Sequence, residues 1–77
     1  MKAEVIAIGS ELLLGGLPET NSLFLVDELA KLGIEAGWKT VVGDDEVDLE
    51  EALRRALERS PLVITTGGLG ATVDDLT

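Results

Sequence analysis

The amino-acid sequence predicts an α/β fold, a three-layer αβα arrangement in which helices cover both faces of a parallel sheet. Short apolar runs of strand length alternate with longer segments whose apolar residues recur at helical spacing. The resulting order is strand, helix, strand, helix, strand, which implies parallel strands joined by right-handed crossovers. In a doubly wound sheet these three strands take the order 2-1-3. The 77 residues form at most one small domain, spanning 1–77.

Residues at the ends of the first strand and of the first helix identify these two elements in the sequence. Residues 3–8 are apolar except for Glu4, and the run ends at Gly9, which is typical of a buried strand. The leucines at 12–14 are expected to pack against another part of the molecule, because three exposed leucines in a row are unusual. A helix then begins at 20–21, where threonine and asparagine supply N-cap chemistry, and it ends at Gly33.

The second half of the chain continues the alternation. Residues 35–42 predict a second strand that is more polar than the first and therefore nearer a sheet edge. A second helix follows, because Asp48 and Glu51 have the spacing of a capping box. This helix ends before Pro61, and residues 62–64 predict the third strand. One face of the second helix carries an apolar stripe of Leu49, Ala52, Leu53, Ala56 and Leu57.

The composition excludes several classes of function. Fifteen acidic residues against six basic residues give a net charge of -9, which argues against nucleic acid or an anionic membrane surface as a partner. The chain has no cysteine and no histidine, so thiol chemistry, disulfides, zinc fingers and imidazole catalysis are excluded. Any metal site is oxygen-rich, and no haem, flavin or zinc is expected. Without a membrane-length apolar run or a signal-peptide core, a cytoplasmic protein is expected.

Three loops are expected to meet at one edge of the sheet. Parallel strands point the same way, so the loops 9–11, 43–45 and 65–75 gather at the carboxyl ends of strands one, two and three. Each loop begins with a small residue or threonine and carries an acid. Strands one and three are neighbours across the topological switch point, where such sheets bind ligands. The alternative is the polar, loop-rich edge that any parallel sheet has.

The loop after the third strand has the strongest functional pattern. Residues 65–77 read TTGGLGATVDDLT, with three glycines in four positions and then two carboxylates. A small-residue loop that runs toward a helix start can present backbone N–H groups to a phosphate. The alternative is a glycine-rich turn with an acidic helix cap. The dinucleotide fingerprint and the P-loop do not fit, because position 73 is valine and no lysine follows Gly70.

Four stretches of the sequence together resemble the competence/damage-inducible CinA family. They are the closing loop 65–77, the segment IGSELLLG at 8–15, the segment TNS at 20–22, and the segment VGD at 42–44. The N-terminal domain of that family belongs to the molybdopterin-binding (MoCF, MoaB/Mog-like) fold. The chain looks like the N-terminal part of this domain, and Ala71 stands where the family usually has proline.

The resemblance implies a site for a phosphorylated small molecule, either a nucleotide or a pterin. It also implies hydrolysis of the pyrophosphate of ADP-ribose with a divalent cation, for which magnesium is expected. The acids that match the family are Asp44 and Asp75, which are the candidate catalytic residues; together with Asp74 they are the candidate metal ligands. Contacts to the phosphate are expected from Ser10, Glu11, Thr65, Thr66, Gly67, Gly68, Leu69 and Gly70.

Other interpretations stay open. The domain could bind molybdopterin or a nucleotide without turnover, or the chain could be an inactive fragment that a homo-oligomer completes. Asp75 could cap a following helix, Asp74 could be a solvated neighbour, and Asn21 could cap the first helix instead of binding a ligand. Glu11 could be a surface residue. Lys39 is the only base expected near this edge, and it lies inside the second strand.

Overall fold

The computed structural model describes residues 1–14 and 20–67. The elements in chain order are β1 Lys2–Ile8, a 3₁₀ turn Ser10–Leu13, α1 Asn21–Lys31, β2 Glu35–Val42, α2 Glu46–Arg59 and β3 Leu62–Thr66. All strand pairs are parallel and the strand order is β2-β1-β3, so the predicted fold and topology are confirmed. Among these described elements, neither helix is long and apolar enough to cross a membrane.

The central strand β1 is buried on both faces because a helix covers each of them. Ile6 packs with Ala56 of α2 on one face. Val5 packs with Leu29 of α1 on the other face. Successive side chains of a strand point to opposite faces, so a strand covered on both sides is apolar at nearly every position. The core therefore has two apolar layers, one on each side of β1.

Helix α1 ends at the predicted glycine. Gly33 has φ +80°, its N–H donates to the Ala30 carbonyl at 3.0 Å, and the N–H of Ile34 donates to the Leu29 carbonyl at 2.9 Å. These two bonds make a Schellman motif, which requires the left-handed conformation that glycine adopts readily. The start of the helix differs from the prediction. Thr20 is the N-cap residue but its side chain makes no capping hydrogen bond, since its backbone is helical and not extended.

Helix α2 begins about one turn before the predicted capping box. Its N-cap residue is Asp45 and not Asp48, and the Asp45 carboxylate accepts the N–H groups of Val47 at 2.9 Å and Asp48 at 3.1 Å. The extended backbone of Asp45 aims its side chain back at these amides. The buried stripe is also narrower than predicted, because Leu57 is 68% exposed. Each four-residue step advances about 40° around a helix, which turns Leu57 away from the sheet.

Two predictions about loops are wrong. Strand β3 continues through Thr66, so Thr65 and Thr66 are strand residues and not loop residues. The leucine triplet is not packed as a unit, because Leu13 and Leu14 are 59% and 81% exposed. Consecutive residues of a 3₁₀ turn point in directions about 120° apart, so one turn cannot bury all three.

Strand β2 lies at one edge of the three-stranded sheet, as its polar sequence predicted. Its register against β1 shifts between Ala3 and Glu4, and this shift places Trp38 opposite Glu4. The side chain of Trp38 is about half exposed at this edge. The shift in register therefore places the aromatic ring of Trp38 beside Glu4, a charged residue of the central strand.

Candidate functional site

The loop after β3 touches the end of β1 at the carboxyl edge of the sheet. Gly67, the first residue after β3, lies against the carbonyl group of Ile8, the last residue of β1. A Cβ atom at Gly67 would be 2.5 Å from that carbonyl oxygen, which is too close for two non-bonded atoms. The φ of Gly67 is +90°, in the left-handed region. Both the close approach and the backbone angle therefore require glycine here.

The loops after β1 and β2 are joined by two reciprocal hydrogen bonds. The N–H of Ser10 donates to Oδ2 of Asp44 at 3.1 Å, and the N–H of Asp44 donates to Oγ of Ser10 at 3.1 Å. One residue earlier, the N–H of Gly9 donates to the Val42 carbonyl at 2.9 Å. The loops after all three strands therefore meet at this edge, as the topology predicted.

A pocket of about 120 Å³ opens between the ends of β1 and β3 and the start of α1. A pocket of this volume holds several water molecules and can take a phosphate-sized group. It lies at the edge where parallel α/β sheets bind their ligands. Its described lining is Ala7, Ile8, Glu11, Leu12, Thr20, Asn21, Thr66 and Gly67.

The negative charge in this pocket limits how it can bind an anionic ligand. Its described lining contains one acid, Glu11, and no lysine or arginine. The Glu11 carboxylate folds back over the Cα atom of Gly9, where a Cβ atom would collide with it. An anionic ligand beside this carboxylate therefore needs backbone N–H groups, hydroxyl groups or a bound cation to offset the repulsion.

The structure separates the predicted site residues into two groups. Glu11, Thr66 and Gly67 line the pocket. Ser10 and Asp44 bind each other beside it, and neither belongs to its described lining. The strand order therefore places these five predicted residues at one edge of the sheet, but only three of them line the pocket.

The other residues that the sequence analysis named have three different outcomes. Thr65 is exposed and absent from the pocket's described lining, because alternation along β3 points it away from the face that Thr66 occupies. Thr20 and Asn21 do line the pocket, although the sequence favoured a capping role for Asn21. The remaining candidates lie outside the described residues: Gly68, Leu69, Gly70, Asp74 and Asp75.

The described acids do not gather into a cluster that could surround a metal ion. Within residues 1–14 and 20–67, no group of three or more aspartate, glutamate, histidine or cysteine side chains could hold a metal ion. One carboxylate oxygen of Asp44 accepts the Ser10 N–H. Cations such as magnesium are usually held by one or two carboxylates together with phosphate oxygens and water. The proposed set of Asp44, Asp74 and Asp75 thus stays a prediction.

An ion cluster that the sequence analysis did not predict lies toward the amino edge of the sheet. Glu4 of β1 is fully buried and accepts two hydrogen bonds from Arg59, from Nε to Oε1 at 2.9 Å and from Nη2 to Oε2 at 2.5 Å. The Ser60 hydroxyl donates a third to Oε1 at 3.0 Å. The guanidinium of Arg59 stacks over Trp38, 3.7 Å from the ring centroid.

These contacts keep Glu4 charged inside the fold. The hydrogen bonds from Arg59 hold the pKa of Glu4 below its ordinary value of 4.5, although burial acts in the opposite direction. The same contact raises the pKa of Arg59. A sequence signal for this cluster exists: a glutamate inside an apolar strand requires a buried partner, and an arginine stands at the end of α2.

Comparison with protein families identifies the type of domain. A family model described as "Probable molybdopterin binding domain" matches residues 4–77. The match therefore begins within β1 and includes all the later strands, helices and loops.

Several curated relatives share the name competence-damage inducible protein. The chain is 58% identical over 77 residues to a protein of Halalkalibacterium halodurans named as competence-damage inducible, and it covers 18% of that protein. It is 54% identical over 77 residues to a protein of the same name from Streptococcus pneumoniae, again covering 18%. The chain thus spans less than a fifth of the length of these relatives.

A solved structure agrees in fold and in sequence. The chain is similar to the crystal structure of the protein CinA of unknown function from Thermoplasma acidophilum, with a TM-score of 0.85 and 42% sequence identity. The similarity covers 99% of this chain and 45% of that chain. The chain therefore belongs to the molybdopterin-binding domain family, within its competence-damage inducible (CinA) group.

Proposed function

We propose that this domain binds a phosphorylated pterin or nucleotide, with the phosphate in the pocket between β1, β3 and α1. The observation that carries the proposal is the placement of this pocket at the carboxyl edge, with the required glycine Gly67 in its wall. The molybdopterin-binding family supports a pterin-like ligand. The volume of about 120 Å³ supports a phosphate as the group that enters.

The wall of the pocket offers polar groups that suit a phosphate. Thr66 contributes a hydroxyl group, and Asn21 contributes a side-chain amide. The Thr20 side chain makes no capping bond, so it does not engage the first amides of α1. The start of α1 borders the pocket at Asn21, and the N-terminus of a helix attracts anions. Gly67 brings the backbone to the ligand without a side chain in between.

A calorimetric titration tests this proposal. The chain is titrated with AMP and with adenosine, and with a phosphorylated pterin and the same pterin without phosphate. We expect binding of both phosphorylated compounds and at least about tenfold weaker binding of the others, because charge-assisted hydrogen bonds to the phosphate carry the affinity. Equal affinity for AMP and adenosine, or no binding of any compound, would show that the pocket is not a phosphate site.

A second candidate is hydrolysis of the pyrophosphate of ADP-ribose to AMP and ribose 5-phosphate. The observation that favours it is the acid Glu11 in the pocket, because a cation that offsets this acid would also polarise a pyrophosphate. Magnesium is the proposed cation, and Asp74 and Asp75 are proposed to supply carboxylates. Release of AMP from ADP-ribose is measured with magnesium and with excess EDTA. Turnover that persists in EDTA, or in Asp75→Ala, would contradict this candidate.

A further inference from the structure

We propose that an extra residue in β2, Gly37, keeps this strand from pairing with the β2 strand of a second copy of the chain. Strand β2 is eight residues long and lies at one edge of the sheet that the described residues form. An edge strand presents unpaired backbone N–H and C=O groups, to which another strand can bind. Such pairing would join two copies along β2, on the side of the sheet away from β3, so it is independent of the ligand proposed for the pocket.

The pairing of β2 with β1 shows where the extra residue lies. Ala36 pairs with Ala3, and the next pair along the ladder joins Trp38 to Glu4. Gly37 lies between these pairs and has no partner of its own on β1. Two residues of β2 thus stand opposite one residue of β1, as in a β-bulge, which bends its strand and increases the local twist. The outer side of β2 is therefore not the straight, regular edge that a second strand needs.

Two lysines add charge to the same stretch of the edge. The side chain of Lys2 lies over Gly37, with its Cδ atom 3.3 Å from the position that a Cβ atom of residue 37 would take. Lys39 follows on β2 itself, and both lysines are exposed. A second strand here would have to displace the water around their ammonium groups, which is costly. Charged side chains, lysine above all, are one of the means by which edge strands avoid pairing.

The bulge also sets the position of Trp38, the largest apolar side chain on this edge. Trp38 stands opposite Glu4, and the Arg59 guanidinium stacks over its ring, 3.7 Å from the centroid. An exposed aromatic ring on a sheet edge favours association between copies. The contact with Arg59 covers one face of the ring and thereby reduces the apolar area that a second copy could bury.

Charge repulsion offers a different reason for two copies to stay apart, because the chain has a net charge of -9. Deletion of Gly37 separates the two causes, since it removes the extra residue and keeps every charged one. Ala36 and Trp38 then become neighbours. Their partners on β1, Ala3 and Glu4, are neighbours already, so the shortened strand pairs with β1 without a bulge.

Light scattering after size-exclusion chromatography measures the mass of the parent and of two variants at about 0.5 M salt, where charge repulsion is screened. We expect the Gly37 deletion to have at least about twice the mass of the parent, since joined edge strands form a twofold pair. Gly37→Ala is the matched control. It keeps the extra residue, and its added Cβ atom meets first the flexible side chain of Lys2, so we expect the mass of the parent. A deletion variant that is folded by circular dichroism but has the parent's mass would overturn the proposal.

The parent chain gives a second test that holds even where the deletion variant does not fold. Amide NMR spectra are compared at low and at high protein concentration in the same salt. We expect the amides of residues 35–42 to keep their shifts in the parent, and to shift on dilution of a folded deletion variant as its copies separate. Concentration-dependent shifts along β2 of the parent would show that the strand pairs despite its bulge. Association of the deletion variant with shifts confined to other elements would equally contradict the proposal.

Discussion

The two edges of the sheet use carboxylates in opposite ways. At the amino edge, the buried Glu4 carboxylate accepts three hydrogen bonds, two from Arg59 and one from Ser60. At the carboxyl edge, Asp44 and Glu11 are exposed; the first ties two loops together and the second lines a pocket. Charge is thus neutralised at one edge and left accessible at the other.

This difference indicates that the amino edge stabilises the fold, whereas the carboxyl edge is the one that we propose binds the ligand. The Glu4 carboxylate is closed to a ligand because it is fully buried and both of its oxygens are bound within the chain, and its contacts connect β1 with the end of α2. An exposed carboxylate beside a small pocket remains available to a cation or a polar group. The substitutions below change one edge at a time, so that each edge can be assigned its role.

The largest loss of stability is expected from Arg59→Met at the amino edge. This change leaves the buried Glu4 carboxylate without its ion partner, so we expect a larger loss of the free energy of unfolding than from any change at the carboxyl edge. Urea denaturation followed by circular dichroism measures the loss. The matched control is Arg55→Met on the same helix, where the pair with Glu51 is exposed at 3.6 Å and a change within about 0.5 kcal/mol is expected. Equal losses in the two variants would show that the Glu4 cluster does not stabilise the fold.

The next largest effect is expected from Gly67→Ala at the carboxyl edge. Alanine at this position has an unfavourable φ and a Cβ atom against the Ile8 carbonyl, so we expect a loss of about 2 kcal/mol or more, together with weaker AMP binding. Gly33→Ala is the control, because Gly33 has a similar φ with nothing within 4 Å of its added Cβ. There we expect about 1 kcal/mol and unchanged AMP binding. A milder effect at Gly67 than at Gly33 would contradict the close contact with β1.

A smaller effect, dependent on pH, separates Glu4 from the other acids. The folded state lowers the pKa of Glu4, so its stabilising contribution is complete above the ordinary value of 4.5 and is lost as the pH falls through the lower folded value. We therefore expect the parent to be more stable than Glu4→Gln near neutral pH and this gap to narrow in acid. Thermal melts across this pH range measure the gap. A gap that stays constant with pH would mean that Glu4 is not held charged in the fold.

Much of the fold followed from the sequence because its signals are local. The apolar run of β1, the glycine stop at Gly33 and the helical spacing of α2 each act within a few residues, and the alternation of elements then determines the parallel order. The errors in the predicted starts of the two helices also concern only a few residues each. Asp45 and Asp48 are both acceptable caps by residue type, and only the backbone angles decide between them.

The site was less predictable because it depends on which side of β1 each loop faces. Sequence reasoning brought Ser10, Glu11 and Asp44 to one edge, but it could not show that Asp44 bonds to Ser10 and lies outside the described lining of the pocket. The pairing of Glu4 with Arg59 joins residues 55 positions apart, a distance at which no spacing pattern operates. Both results arise from tertiary contacts and not from local propensity.

The most direct test of the central claim is an amide NMR titration with AMP on the uniformly ¹⁵N-labelled chain. The claim is that the carboxyl edge binds the phosphate and the amino edge does not. We expect shifts concentrated at Ile8, Glu11 and Gly67, with the Trp38 indole and the Ser60 amide unchanged. Shifts centred on Trp38 and Ser60, or no shifts at the carboxyl edge at saturating AMP, would contradict it.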